Sequence, residues 1–223
     1  MASVEMRVWE ERFENVLRHQ TSGDASHGLD HVKRVVRIAK RLGNLEGAEV
    51  EVVVPAAWLH DCVMIEKDSP DRARASTLAA DRALEYLLEL QYPHRHLKAV
   101  HHAIRSHSFS AGIAPETLEA AVVQDADRLD ALGAVGIARC FTVGGRLGLP
   151  LYDEDDPFCR AREADDRHTV LDHFFVKLLR LPESMRTESG RVEAKRRVRI
   201  IEAFLAELAH EIGADETGER ERR

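Results

Sequence analysis

The sequence predicts an all-α fold, a single bundle of about eight helices, and three observations carry that prediction. Helix formers (Ala, Leu, Glu, Arg) dominate, and 223 residues contain only 13 Gly and 7 Pro. Apolar residues recur at helical spacing in successive segments. The chain is long enough to bury a full core, and it shows neither an internal repeat nor a clear inter-domain linker. One domain over residues 1–212 is expected, with 213–223 (GADETGERERR) as a frayed tail.

The elements follow in order. Val4, Val8, Phe13, Val16 and Leu17 mark an opening helix over 4–19, which TSGDASHG interrupts. His31, Val35, Ile38 and Leu42 fall at i, i+4, i+7 and i+11, so a second helix over about 27–42 carries His31 on its core-facing stripe. The segment 48–63 opens with β-branched residues that suit a strand, but Pro55 argues against a central strand. With helices on both sides it is read as helix, His60 and Asp61 near its end. Ser69-Pro70 starts an amphipathic run to Leu90. Residues 93–107 form the next helix, and Pro115 opens another that runs to Leu129. The stretch 131–150 is Ala/Gly-rich, 151–164 (LYDEDDPFCRAREA) reads as an acidic surface loop, and helices over 168–181 and 188–212 close the domain.

Charge and cysteine usage narrow the function. The net charge is −7, from 39 acidic and 32 basic residues, so the overall basic footprint of a duplex-nucleic-acid binder is missing, while local Arg clusters leave small anionic ligands open. Cys62, Cys140 and Cys159 are odd in number and far apart without CxxC, which fits a reducing compartment. The first residues carry acids and no apolar core of a signal peptide, and no apolar run approaches the roughly 20 residues that span a bilayer. A cytoplasmic location and no membrane partner are expected.

Four residues carry the chemistry: His31, His60, Asp61 and Asp127. With 12 His, about one His-Asp dipeptide arises by composition alone, so the pair is uninformative by itself. The order is informative: a His on a helix, some thirty residues on His-Asp after an apolar run, then Asp within Ala126-Asp127-Arg128-Leu129. Neighbours in a helix point about 100° apart, so His60 and Asp61 share an ion if it lies beside the helix or if the helix ends there. Two imidazoles and two carboxylates make a mixed N/O site for one divalent ion, Mn²⁺ or Mg²⁺ first, with Fe²⁺, Co²⁺ and Ni²⁺ acceptable. Such an ion lowers the pKa of a bound water, which points to hydrolysis. No GxSxG or Cys-His-Asn signature competes, and TVGGRLGLP at 142–150 lacks the GK[ST] of a P-loop.

The pattern H…HD…D, its last Asp in Ala-Asp-Arg-Leu, resembles the HD-domain metal-dependent phosphohydrolases. The segments SHGLDHVKRV, AAWLHDCV, HAIRSHSFSA, QDADRLDALGAVGIAR and LDHFFVKLLRLP look like the YedJ-like branch of bacterial HD proteins, and the likeness runs from about residue 20 to 210. The resemblance implies an HD-domain bundle, metal ligands at His31, His60, Asp61 and Asp127, and hydrolysis of a phosphate ester or anhydride. Asp125 and Asp130 are neighbours of the family Asp and not its match. Some HD proteins add histidines and hold a second metal; His102 and His107 are the candidates here. Five helical residues apart they point about 140° from each other, which favours one ion.

The expected substrate is a small phosphorylated molecule, a nucleotide first, cleaved by a pyrophosphohydrolase or phosphatase. A regulatory protein that binds nucleotide without turnover is the alternative, and a homodimer is open. Asp61 is the candidate catalytic carboxylate. His27, one turn before His31, and His107 are candidate proton donors to the leaving oxygen. His173 and Lys177, at i and i+4, are candidates to grip phosphate, as are Arg128 and Arg74. In each case a solvated or structural side chain is the competing explanation.

Overall fold

The computed structural model describes residues 4–18, 28–63, 65, 74–108 and 111–214. His27, the Ser69-Pro70 cap and most of the expected tail lie outside them. Among the described residues all regular structure is helical: α1 (Val4–Arg18), α2 (Leu29–Glu46), α3 (Val50–Leu59), α4 (Ala75–Glu89), α5 (His94–His107), α6 (Leu118–Asp130), α7 (Gly133–Arg146), α8 (Asp172–Val176) and α9 (Glu188–Glu211), with a 3₁₀ helix over Leu178–Ser184. The chain divides into two compact units interleaved in sequence, Met1–Asp130 with Met185–Arg191, and Ala131–Ser184 with Val192–Arg223.

In the first unit α3 is the buried axis. It packs against α1, α2, α4, α5 and α6, and every residue from Val52 to Leu59 is buried. Surrounding helices explain why a β-branched run is helical here: a segment with no polar face suits a position enclosed on all sides, and tertiary packing overrides local propensity. Each fully buried Val or Leu side chain contributes about 1.5–3 kcal/mol. Pro55 lies inside α3 and cannot donate to the carbonyl of Glu51. The Tyr92 hydroxyl takes that carbonyl at 2.6 Å, so the acceptor freed by proline is satisfied from outside the helix.

α2 runs four residues further than its sequence pattern suggested. It ends where Gly47 adopts φ 76°, a left-handed conformation, and the Ala48 N–H closes back on Gly43 O at 2.9 Å. α3 stops at Leu59, so His60 and Asp61 occupy the turn that follows, one of the two arrangements that lets both face one point. α6 begins three residues after Pro115. Asp125, inside it and buried, accepts the Arg186 N–H (2.9 Å) and the N–H and hydroxyl of Thr187 (2.8 and 2.7 Å), holding the segment 185–191 against α6.

In the second unit the Ala/Gly-rich stretch forms a helix, α7. Gly144 serves close approach: a Cβ there would meet Val170 Cγ2 at 2.2 Å. Phe141, Phe174 and Phe204 form its aromatic core, with ring centroids 5.7–6.0 Å apart. The acidic loop is ordered by its own carboxylates. Asp156 accepts three backbone N–H groups, those of residues 160–162, and Arg162 reaches the buried Asp172 at 2.7 Å. The helix expected over 168–181 is broken: α8 ends at Val176, Lys177 takes φ −131° and ψ −58°, and the chain continues as the 3₁₀ helix containing Pro182.

Candidate metal centre

Four helix segments of the first unit deliver the site. His31 stands in the first turn of α2, His60 and Asp61 follow the end of α3, His107 is the last residue of α5, and Asp127 lies in the last turn of α6. The nitrogens His31 Nε2 and His60 Nε2 face each other at 3.3 Å. Asp127 Oδ1 lies 3.5 Å from the first and 3.8 Å from the second, and Asp61 Oδ2 lies 3.8 and 3.5 Å from them. All four residues that the sequence singled out therefore converge.

His107 joins them. Its Nε2 is 3.5 Å from Asp61 Oδ1, the other oxygen of that carboxylate. Among the described residues two overlapping groups could hold an ion, His31–His60–Asp127 and His60–Asp61–His107, with donor atoms in each within 4.8 Å of one another. His102 is directed elsewhere and accepts the Glu116 N–H at 3.0 Å. Since α5 is unbroken to His107, the angular argument separating these two histidines applies.

The second ring nitrogens are all engaged. Nδ1 of His60 is 2.9 Å from Ala57 O, Nδ1 of His107 is 2.6 Å from Ile104 O, and Nδ1 of His31 is 2.7 Å from Asp130 Oδ2. Each of those partners is an acceptor, so each Nδ1 carries hydrogen and donates it. In a neutral ring the lone pair is then on Nε2, the nitrogen directed at the cluster. Two lone pairs facing at 3.3 Å beside two carboxylates call for a cation, and the donor set fits a divalent ion held by N and O.

Electrostatics agree with that polarity. Burial lowers the pKa of His60, against Asp61 and Asp127. Burial also opposes the charged form of Asp127, but His31 and His60 outweigh it and hold this carboxyl well below the usual range. For His107, burial is outweighed by the hydrogen bond and charge of Asp61, and its pKa is raised. The side chains of Asp61 and Asp127 keep 23% and 29% of their exposure against 2% and 0% for His31 and His60. Solvent therefore reaches the cluster from the carboxylate side.

Asp130 and Arg34 escaped the reading of the sequence. By sequence Asp130 is a neighbour of Asp127 and not the match to the family aspartate, yet it is buried against His31 and receives Arg34 through Nε (2.7 Å) and Nη2 (3.0 Å). The available signal was spacing: Arg34 follows His31, and Asp130 follows Asp127, by three residues.

The remaining candidates fall as follows. Arg128 is buried in α6; burial works against its charge, Asp125 and Asp127 support it and Arg186 opposes it. Arg74 is exposed at the start of α4. His173 and Lys177 belong to the second unit, where both are half-buried and His173 Nδ1 is 2.9 Å from Asp166.

This geometry defines a helical protein with a histidine–aspartate centre, and comparison with known proteins identifies its class. Residues 28–132 match the HD domain. Over 212 residues, 93% of this chain and 92% of the relative, the sequence is 33% identical to YpgQ of Bacillus subtilis (strain 168), an uncharacterized protein. The crystal structure of an HD-superfamily hydrolase from Bacillus thuringiensis is similar with TM-score 0.72 and 33% identity, covering 93% of this chain and 98% of the other. That of Bacillus subtilis YpgQ in complex with ADP is similar with TM-score 0.69 and 32% identity, covering 92% and 98%. The chain belongs to the HD-domain superfamily. These comparisons do not address the YedJ-like branch. Among the described residues no helix is long and apolar enough to cross a membrane.

Proposed function

We propose that this protein is a metal-dependent phosphohydrolase that cleaves a phosphate ester or anhydride of a nucleotide. The observation that carries the reading is the convergence of His31 Nε2 and His60 Nε2, 3.3 Å apart, on the carboxylates of Asp61 and Asp127. The ADP complex of YpgQ supports a nucleotide as the substrate class. His31, His60, Asp61 and Asp127 would hold one divalent ion, Mn²⁺ or Mg²⁺ first by the hardness of the donor set, with Fe²⁺, Co²⁺ or Ni²⁺ as alternatives. Bound there, the ion supplies an acidified water and a Lewis acid for the phosphoryl group.

The chain's own residues supply the rest. Asp61 and Asp127, the more exposed pair, orient the attacking water. His107 is the proton donor to the leaving oxygen: its Nδ1 is committed to Ile104 O, so any proton it delivers sits on Nε2, the nitrogen beside Asp61. His27 is the second candidate for this role. Arg74, Arg128, His173 and Lys177 supply positive charge for the phosphate chain. The test is a panel of nucleoside mono-, di- and triphosphates incubated with Mn²⁺, with phosphate and pyrophosphate release measured separately. Turnover of at least one nucleotide, abolished by chelation, is expected. Tight nucleotide binding with no turnover of any of them contradicts the reading.

A further inference from the structure

We propose that Arg34 and Asp130 are a positioning pair that fixes the tautomer of His31, so that this ring presents a bare Nε2 to the cluster. The proposal rests on the metal reading above and assigns a task to two residues outside the ligand set.

The arrangement is crosswise. α2 contributes His31 and, one turn later, Arg34; α6 contributes Asp127 and, one turn later, Asp130. Arg34 meets Asp130 between the two helices through a two-point fork, Nε to Oδ1 at 2.7 Å and Nη2 to Oδ2 at 3.0 Å, which fixes the plane of the carboxylate. Oδ2 then lies 2.7 Å from His31 Nδ1. An ionised carboxylate only accepts, so the hydrogen on that edge belongs to Nδ1, and a neutral ring keeps its lone pair on Nε2.

His60 and His107 obtain the same tautomer locally, each from the carbonyl three residues earlier in its own chain. His31 lacks that option. It is the third residue of α2, and the carbonyl three residues back, Gly28 O, already accepts two backbone N–H groups, those of His31 at 2.9 Å and Val32 at 3.4 Å. A side chain from another helix takes over the task. That side chain is 1% exposed, and a buried carboxylate is costly unless its charge is paired, which explains the guanidinium behind it. A pair that merely locked α2 to α6 would need no contact with the His31 ring, whereas Asp130 Oδ2 lies 2.7 Å from its Nδ1.

The test is long-range proton–nitrogen NMR of the histidine rings in metal-free protein, about two pH units above the ordinary imidazole value. Wild-type His31 is expected to carry its proton on Nδ1. In the double variant Arg34→Ala/Asp130→Ala, which leaves neither charge buried alone, the proton moves to Nε2. Mn²⁺ affinity by calorimetry then falls about 10–100-fold, with folding followed by circular dichroism. Wild-type His31 protonated on Nε2 overturns the proposal without any variant. A folded double variant that keeps the Nδ1 tautomer and wild-type Mn²⁺ affinity overturns it equally. Wild-type protein with the Nδ1 tautomer and no Mn²⁺ binding supports the pair and refutes the metal reading, so the two failures are distinguishable.

Discussion

His31 and His60 face one another through Nε2 atoms 3.3 Å apart, while the Nδ1 of each ring is bonded away from the cluster. That relationship limits the number of ions. His60 is common to both groups of donors, and it has one nitrogen to give. Elemental analysis should therefore find close to one divalent ion per chain, and His107→Ala should retain it. Two ions, with the second lost in that variant, would mean that Asp61 bridges two metals and His107 is a ligand.

Lys177 is expected to grip substrate and to do no proton chemistry. Lys177→Ala should raise KM several-fold with kcat nearly unchanged, the pattern of lost uniform binding. A large fall in kcat at constant KM would assign it to the transition state. No change in either parameter would leave it a surface lysine of the second unit.

Gly190 fixes the junction between the segment 185–191 and α6. A Cβ there would lie 2.4 Å from Asp125 Oδ2 and 2.7 Å from Thr187 Oγ1, atoms already committed to the cap they form together. Gly190→Ala should destabilise by about 1–3 kcal/mol, as overpacked sites do. Chemical denaturation measures this, and an unchanged midpoint would show that the cap yields freely.

Acid sensitivity has a named source in α9. The hydrogen bond from Arg196, joined by that from Arg197 and opposed by burial, holds the Glu193 carboxyl down at about 2 against an ordinary 4.5. A depressed folded value stabilises above the unfolded value, and the contribution is lost as pH falls through the folded one. Glu193→Gln should therefore be less stable than wild type above about pH 4.5, and the gap between their urea midpoints should close towards pH 2. A gap independent of pH would remove the ion pair as its cause.

Much of this was legible in the sequence because the signals were local. Helical spacing placed His31 on the buried stripe of α2, and the order of His, His-Asp and Asp marked residues that the fold brings together. What failed was non-local. The 131–150 stretch shows only an Ala/Gly-rich composition and no element of its own, whereas Gly144 is required by Val170, 26 residues away. Helix 168–181 looked continuous because nothing in its periodicity shows the break at Lys177. Asp130 carries no local signal because its partner, Arg34, is 96 positions distant. His107 was recognised as a candidate, but its approach to Asp61 depends on where α5 ends.

Hydrolysis is expected to depend on an ion held by His31, His60, Asp61 and Asp127. Asp61 is the position to change, since among the proposed ligands it also faces His107 and solvent. The measurement is Mn²⁺ binding by calorimetry on metal-free wild type and Asp61→Ala, with nucleotide turnover followed on the same samples and helicity by circular dichroism. Wild type should bind about one ion, and the folded variant should lose both binding and turnover. Removing one of the two carboxylates beside His31 and His60 also lowers the negative charge of the metal-free cluster, so the helical content should survive. A folded Asp61→Ala protein with wild-type metal affinity and turnover would show that the ion and the hydrolysis do not depend on this cluster.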